Sequence, residues 1–175
     1  SVLANGIAID SNIGFGYGQD TVGDDGCDFN VAGLLVSYAN DFGIVMGEAD
    51  YNVWTGVVID STNAPNRVGD GNVAGVRIYD LSDGNLVSSI LTYGANMDYP
   101  VRIGGDRNYV SFAAHDTLSG NVVTFDSGAA KNFVEFLHPG TRTSILTLLT
   151  DNSGVDADST DANVVHSPAT GEYLG

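Results

Sequence analysis

The chain has 175 residues, 43% of them apolar, and sets 22 acidic side chains against six basic ones for a net charge of −16. Runs such as Gly33-Leu34-Leu35-Val36-Ser37-Tyr38 and Ile145-Leu146-Thr147-Leu148-Leu149 supply the large aliphatic residues that disordered acidic chains lack, so one folded domain of ordinary size is expected. The charge excludes binding to phosphate backbones, which needs clustered Lys and Arg to displace counterions, and direct attraction to anionic lipid head groups.

The first element expected is a strand at 3–10. The start, Ser1-Val2-Leu3-Ala4-Asn5-Gly6, has no basic n-region or long apolar stretch and is not read as a signal peptide. Residues 11–29 hold Gly14-Phe15-Gly16-Tyr17-Gly18 and then Asp24, Asp25 and Asp28, and read as a long loop or arm. Period-two alternation, broken by Gly, Asn and Asp, then predicts strands at 31–39, 43–49, 51–60, 73–81, 86–94, 100–104, 108–115, 121–126, 132–138 and 143–150. Within the fourth, Trp54 is expected to point inward together with Val58. Asp83-Gly84 lies between two β-rich runs and predicts a hairpin, because a type I′ turn needs positive φ at its central residues. A related piece, Leu118-Ser119-Gly120-Asn121-Val122-Val123, recurs at no fixed spacing, so a repeat architecture is not expected. Residues 151–175 lose the alternation and read as an extended acidic tail. The fold expected is therefore all-β, an antiparallel sandwich or barrel of the single jelly-roll kind over residues 1–150. No apolar stretch approaches the ~18 residues of a transmembrane helix, so no direct membrane insertion is expected.

Motifs that carry chemistry are sparse. The glycines at 14, 16 and 18 are not followed by a helix signal, so they do not make a dinucleotide fingerprint. They read instead as an aromatic-studded arm whose Phe15 and Tyr17 dock into a neighbour. Asp24, Asp25 and Asp28 are weak candidates for a cation, since hard cations take several carboxylate oxygens. His115, His138 and His166 lack the spacing of zinc ligands, and no nucleophile elbow is present. Glu48 and Asp50, with Tyr51 and Trp54 beside them, are the residues a sugar-cleaving reading has to use. No catalytic or cofactor-binding residue is assigned, and the protein is not expected to be an enzyme. Cys27 is the only cysteine, which excludes an internal disulfide and leaves an inert thiol or a bridge to a partner subunit.

Nineteen of the acids are aspartate, and Lys131 is the only lysine. At molar salt the Debye length falls to about 3 Å, which screens the self-repulsion of such a surface, a lever halophiles use. Taken together, the Ser1–Asp10 start, the Gly14–Gly18 arm, the alternating strands from Val73 to Thr150 and the acidic tail resemble the small major capsid protein of haloarchaeal icosahedral viruses with an internal membrane. That resemblance implies a single jelly roll standing upright on the shell and assembling with itself and a larger sibling capsid protein. It further implies a location in the virion and a possible role for Cys27 in bonding the sibling. The other role expected is a secreted or cell-surface binding module of a halophile, such as a carbohydrate-binding or pilus domain, using Trp54 and Tyr51.

Overall fold

The computed structural model describes residues 2–9, 13–17, 28–38, 40, 42–60, 74–93, 99–115, 123–137, 163–168 and 172–174. They form thirteen strands: β1 (Val2–Ile9), β2 (Ile13–Tyr17), β3 (Val31–Tyr38), β4 (Phe42–Met46), β5 (Val53–Asp60), β6 (Ala74–Ile78) and β7 (Leu86–Tyr93), then β8 (Tyr99–Ile103), β9 (Tyr109–His115), β10 (Val123–Phe125), β11 (Phe133–Phe136), β12 (Val164–Ser167) and β13 (Glu172–Leu174). Odd strands through β11, followed by β12 and β13, build one sheet, ordered β1-β3-β5-β7-β9-β11-β12-β13, and even strands through β10 build the other, ordered β10-β8-β6-β4-β2. Every pairing is parallel except β12 with β13. The chain therefore winds as a two-sheet parallel solenoid in which each coil rests on its neighbours.

This overturns the antiparallel sandwich and the jelly roll. Period-two alternation is common to both arrangements, because it records only which face of a strand is buried. Direction is set by the connections. Asp83-Gly84 does contain a positive φ, at Gly84 (65°), but β6 and β7 lie in different sheets. Left-handed residues at Leu81 and Gly84 turn the chain between the sheets; no hairpin forms. A Cβ at Gly84 would press into the Tyr51 ring at 2.8 Å, a second reason for glycine there. Ile13–Tyr17, inside the stretch read as an arm, is a strand paired to β4. Val164–Ser167 and Glu172–Leu174, inside the expected tail, are strands as well. The strand expected at 143–150 lies outside the described residues.

The core lies between the sheets as stacked columns. From the larger sheet come Ala32, Trp54, Val87, Val110, Val134 and Val165, one per rung, beside Leu35, Val57, Ile90, Phe112 and Phe136. The smaller sheet answers with Ile44, Val76, Val101 and Val123, and with Met46, Ile78, Ile103 and Phe125. All are buried, so each coil completes the apolar roof of the last.

Trp54 is fully buried, as expected, but its inward companion is Val57, not Val58. The cause is a left-handed residue in the middle of the strand. Asn5, Leu34, Gly56 and Ser89 all have φ between 54° and 67° and occupy equivalent positions in β1, β3, β5 and β7, adding one residue to each pleat. Such a bulge flips the alternation beyond it. The stack of bulges stops at β9, where the register shifts between Val87 and Ile90.

Candidate functional site

One corner of the solenoid repeats the same three-residue unit. It reads Asp28-Phe29-Asn30, Asp50-Tyr51-Asn52, Asp83-Gly84-Asn85, Asp106-Arg107-Asn108 and Ala130-Lys131-Asn132. The middle residue is left-handed in each case, with φ of 53°, 55°, 65°, 54° and 57°. Asn163 closes the series, and each unit leads directly into a strand of the larger sheet.

The asparagines form a continuous buried ladder. Asn52 Oδ1 accepts from the backbone N–H and from Nδ2 of Asn30, both at 2.9 Å. Asn85, Asn108, Asn132 and Asn163 repeat this toward the coil before them at 2.8–3.1 Å. Their Nδ2 groups also donate back to the carbonyls of Ala49, Ser82, Gly105 and Ala129 at 2.7–2.9 Å. A buried position that must both accept and donate excludes aspartate, whose carboxylate has no donor and whose charge resists burial. At Gly105 an added Cβ would collide with the Ser82 carbonyl of the coil below, so the corner closes only with glycine.

Two residues earlier, at the solvent edge, the requirement reverses. Asp28 Oδ1 accepts the Asp50 N–H, Asp50 that of Asp83, Asp83 that of Asp106, and Asp106 that of Ala130, at 2.7–2.8 Å. Adjacent carboxylates one rung apart repel by about 1 kcal/mol in water. A charge-assisted hydrogen bond is worth about 1.5–3 kcal/mol, so the bonds win. Arg107 adds an ion pair to Asp83 at 2.9 Å, and that carboxylate holds the guanidinium pKa above its ordinary value. Four of the nineteen aspartates thus have a folding task at the corner.

Outward from the corner the exposed rings of Phe29 and Tyr51 stack at 5.2 Å. The outer face of the larger sheet differs in kind. In register run Val2, Val31, Val53, Leu86, Tyr109, Phe133 and Val164, and in parallel Ile7, Val36, Val58, Leu91 and Ala113. Toward its far end Glu135 gathers the Tyr109 hydroxyl at 3.0 Å, Ser111 at 3.5 Å and His166 Nδ1 at 3.8 Å. Partial burial, then the bond to Glu135, raises the Tyr109 pKa. On the smaller sheet Asp126 holds Arg77 at 2.6 Å and Arg102 at 2.8 Å, and Arg77 lies over the Tyr79 ring at 4.3 Å.

With this geometry in hand, comparison with known proteins yields one informative likeness. The chain is similar to the tail spike protein of Escherichia virus K5. The two are 28% identical over 159 residues, covering 83% of this chain and 24% of that protein. The chain thus spans about a quarter of the length of the curated relative it matches. No family model matches it.

Of the residues singled out in the sequence, Asp28 is found at the first rung of the carboxylate column. Asp24, Asp25 and Cys27 lie outside the described residues. Among the described residues no three acidic, histidine or cysteine side chains are grouped to hold a metal ion, and no helix is long and apolar enough to cross a membrane. Phe15 packs against the core from β2, and Tyr17 ends that strand. Glu48 is left-handed at a corner (49°), Asp50 is engaged by the Asp83 N–H, and Trp54 is interior, so Glu48, Asp50 and Trp54 do not form a shared surface site. The Asp-x-Asn recurrence went unread because its spacings of 22, 33, 23, 24 and 31 residues defeat a search for a fixed period.

Proposed function

We propose that this chain is a structural segment of a virion-borne appendage, a stiff solenoid of the tail spike kind, working in the virion and not by catalysis. The observation that carries the reading is the likeness to a tail spike protein together with a fold whose coils from Asn30 to Asn163 are tied one to the next by the same buried ladder. A column of rungs joined by parallel pairing and side-chain hydrogen bonds resists bending and local opening, which suits a part that projects from a particle. The shell-building reading drew on a jelly roll, and the parallel coils remove that support. The corner carboxylates are engaged with backbone N–H groups, which favours a structural over a catalytic use for them. The binding-module reading loses Trp54 to the core and keeps only the exposed Phe29–Tyr51 pair.

Immunogold labelling of purified particles from the host that carries the gene tests the proposal. Label on tail appendages supports it. Label over the shell returns the capsid reading, and particles free of the protein end both.

A further inference from the structure

The arginines are scattered along the sequence, but the winding brings two of them together. Arg77, Arg102 and Thr124 are successive in register on β6, β8 and β10. The residues flanking them, Val76, Ile78, Val101, Ile103, Val123 and Phe125, line the core, so by period two these three face outward from the smaller sheet. Asp126 divides its carboxylate between the two guanidiniums, Oδ2 to Arg77 Nη2 at 2.6 Å and Oδ1 to Arg102 Nε at 2.8 Å. Arg77 thus reaches across the Arg102 rung to the end of the Thr124 strand, with the Tyr79 ring against its guanidinium. The Arg77 side chain is only 10% exposed and Thr124 is 7% exposed. Yet among the described residues neither Arg77 Nη1 nor Thr124 Oγ1 has a hydrogen-bond partner. Folded proteins rarely leave buried donors in this state, because each one lowers stability.

We propose that this cluster binds one tetrahedral oxyanion, phosphate or sulfate. Charge chooses an anion: two guanidiniums stand on neighbouring rungs and share a single carboxylate in Asp126, and both open groups are donors. Geometry chooses its shape. A planar carboxylate is held best by two parallel N–H groups on one guanidinium edge, and Asp126 already occupies Arg77 Nη2. What stays open is one nitrogen of Arg77 and a hydroxyl from another strand. Such separate donors suit an ion whose oxygens point in several directions, and guanidinium is well matched to phosphate. Solvent reaches the cluster on its Arg102 and Asp126 side, where those side chains remain 28% and 24% exposed. The overall charge of −16 does not forbid the ion, because at physiological salt charges more than about 8 Å away are largely screened. The task we assign to the ion is structural: it satisfies the two buried donors and fastens β6 to β10 across β8.

The test is thermal unfolding of the 175-residue chain in sodium phosphate or sodium sulfate against sodium chloride at equal ionic strength. A site with a Kd of about 1 mM should raise the midpoint by about 3–6 °C at about 10 mM anion, a concentration too low for general salting-out to matter. Thr124→Val removes one open donor at nearly constant volume. It should melt at or above the parent in chloride, since a buried unpaired hydroxyl is gone, and should bind phosphate at least tenfold more weakly by titration calorimetry. Arg77→Gln should lose the anion-specific gain altogether; if it does not fold, Thr124→Val decides alone. No gain over chloride, a gain untouched in folded Thr124→Val, or an equal gain from acetate overturns the proposal. Glucose 6-phosphate separates the sources: a gain matching that of inorganic phosphate supports a site that also takes an ester on a larger molecule, and no gain supports one for the free ion. The proposal goes beyond the appendage reading and does not need it: a wrong location shows in the particle labelling and leaves the anion result standing.

Discussion

The Asp-x-Asn corner and the outer face of the larger sheet are built on the same rungs, yet they place opposite demands on sequence. At the corner the side chains of the ladder bond from one coil to the next, and the residue types repeat because the backbone geometry requires them. On the face, outside the left-handed positions of β1, β3, β5 and β7, the backbone does not select a residue. What repeats there is apolar character with almost no charge. Repetition in the corner therefore reports the fold, whereas the face carries its apolar columns without a matching hydrogen-bond pattern.

The sharpest way to break that contrast is to remove a ladder residue. Asn108→Ala leaves the Asn85 N–H and the Ser82 carbonyl without these partners and takes one donor from Asn132 Oδ1. At about 1–3 kcal/mol for each buried group left unsatisfied, the loss should be about 3–5 kcal/mol, read as a lower denaturant midpoint. A cost below about 1 kcal/mol would mean the ladder is a by-product of the winding. Asp83→Ala removes a half-buried acceptor and the Arg107 pair, and should cost about 1–2 kcal/mol. Asp83→Asn keeps an acceptor and should recover most of that loss in the same melts.

Tyr109 tests where the face gives way to a polar end. Its folded pKa is raised, first by burial and then by Glu135, so it favours folding while the phenol is protonated. That contribution is complete below the unfolded value of about 10 and disappears as pH climbs through the higher folded value. Stability of Tyr109→Phe should accordingly converge on the parent above that range, and the 295 nm absorbance titration should lose a component lying above the ordinary phenol range. The smallest effect is expected on the apolar columns. Leu34→Asp should shift stability by no more than about 0.5 kcal/mol, as for exposed positions generally. A larger change would show that the side chain supports the coil itself.

Strand location was legible in this sequence and strand partnership was not. β3, β5, β7 and β9 lie within a residue or two of their alternation, because a buried face imposes period two whatever lies beside it. Parallel pairing is decided at corners, where the informative residues are few. Gly84 announced its positive φ, but Phe29, Tyr51, Arg107 and Lys131 adopt the same conformation without a glycine to signal it. The ladder asparagines were visible in Asp-Phe-Asn-Val, Asp-Tyr-Asn-Val, Asp-Gly-Asn-Leu and Asp-Arg-Asn-Tyr. Unequal coils hid them, and the phase slip at Leu34, Gly56 and Ser89 hid the inward partner of Trp54. The acidic composition led toward brine, while part of it answers to hydrogen bonds at the corner.

The coils from Asn52 to Asn85 and from Asn132 to Asn163 are 33 and 31 residues long, against 22 to 24 for the others, yet both come back to the same asparagine contact. Lengthening a loop costs little, since closure entropy grows only with the logarithm of its length. Excursions can therefore be inserted, trimmed or exchanged between rungs without retuning the stack, and natural variation can rewrite what this molecule displays while its chassis stays unchanged.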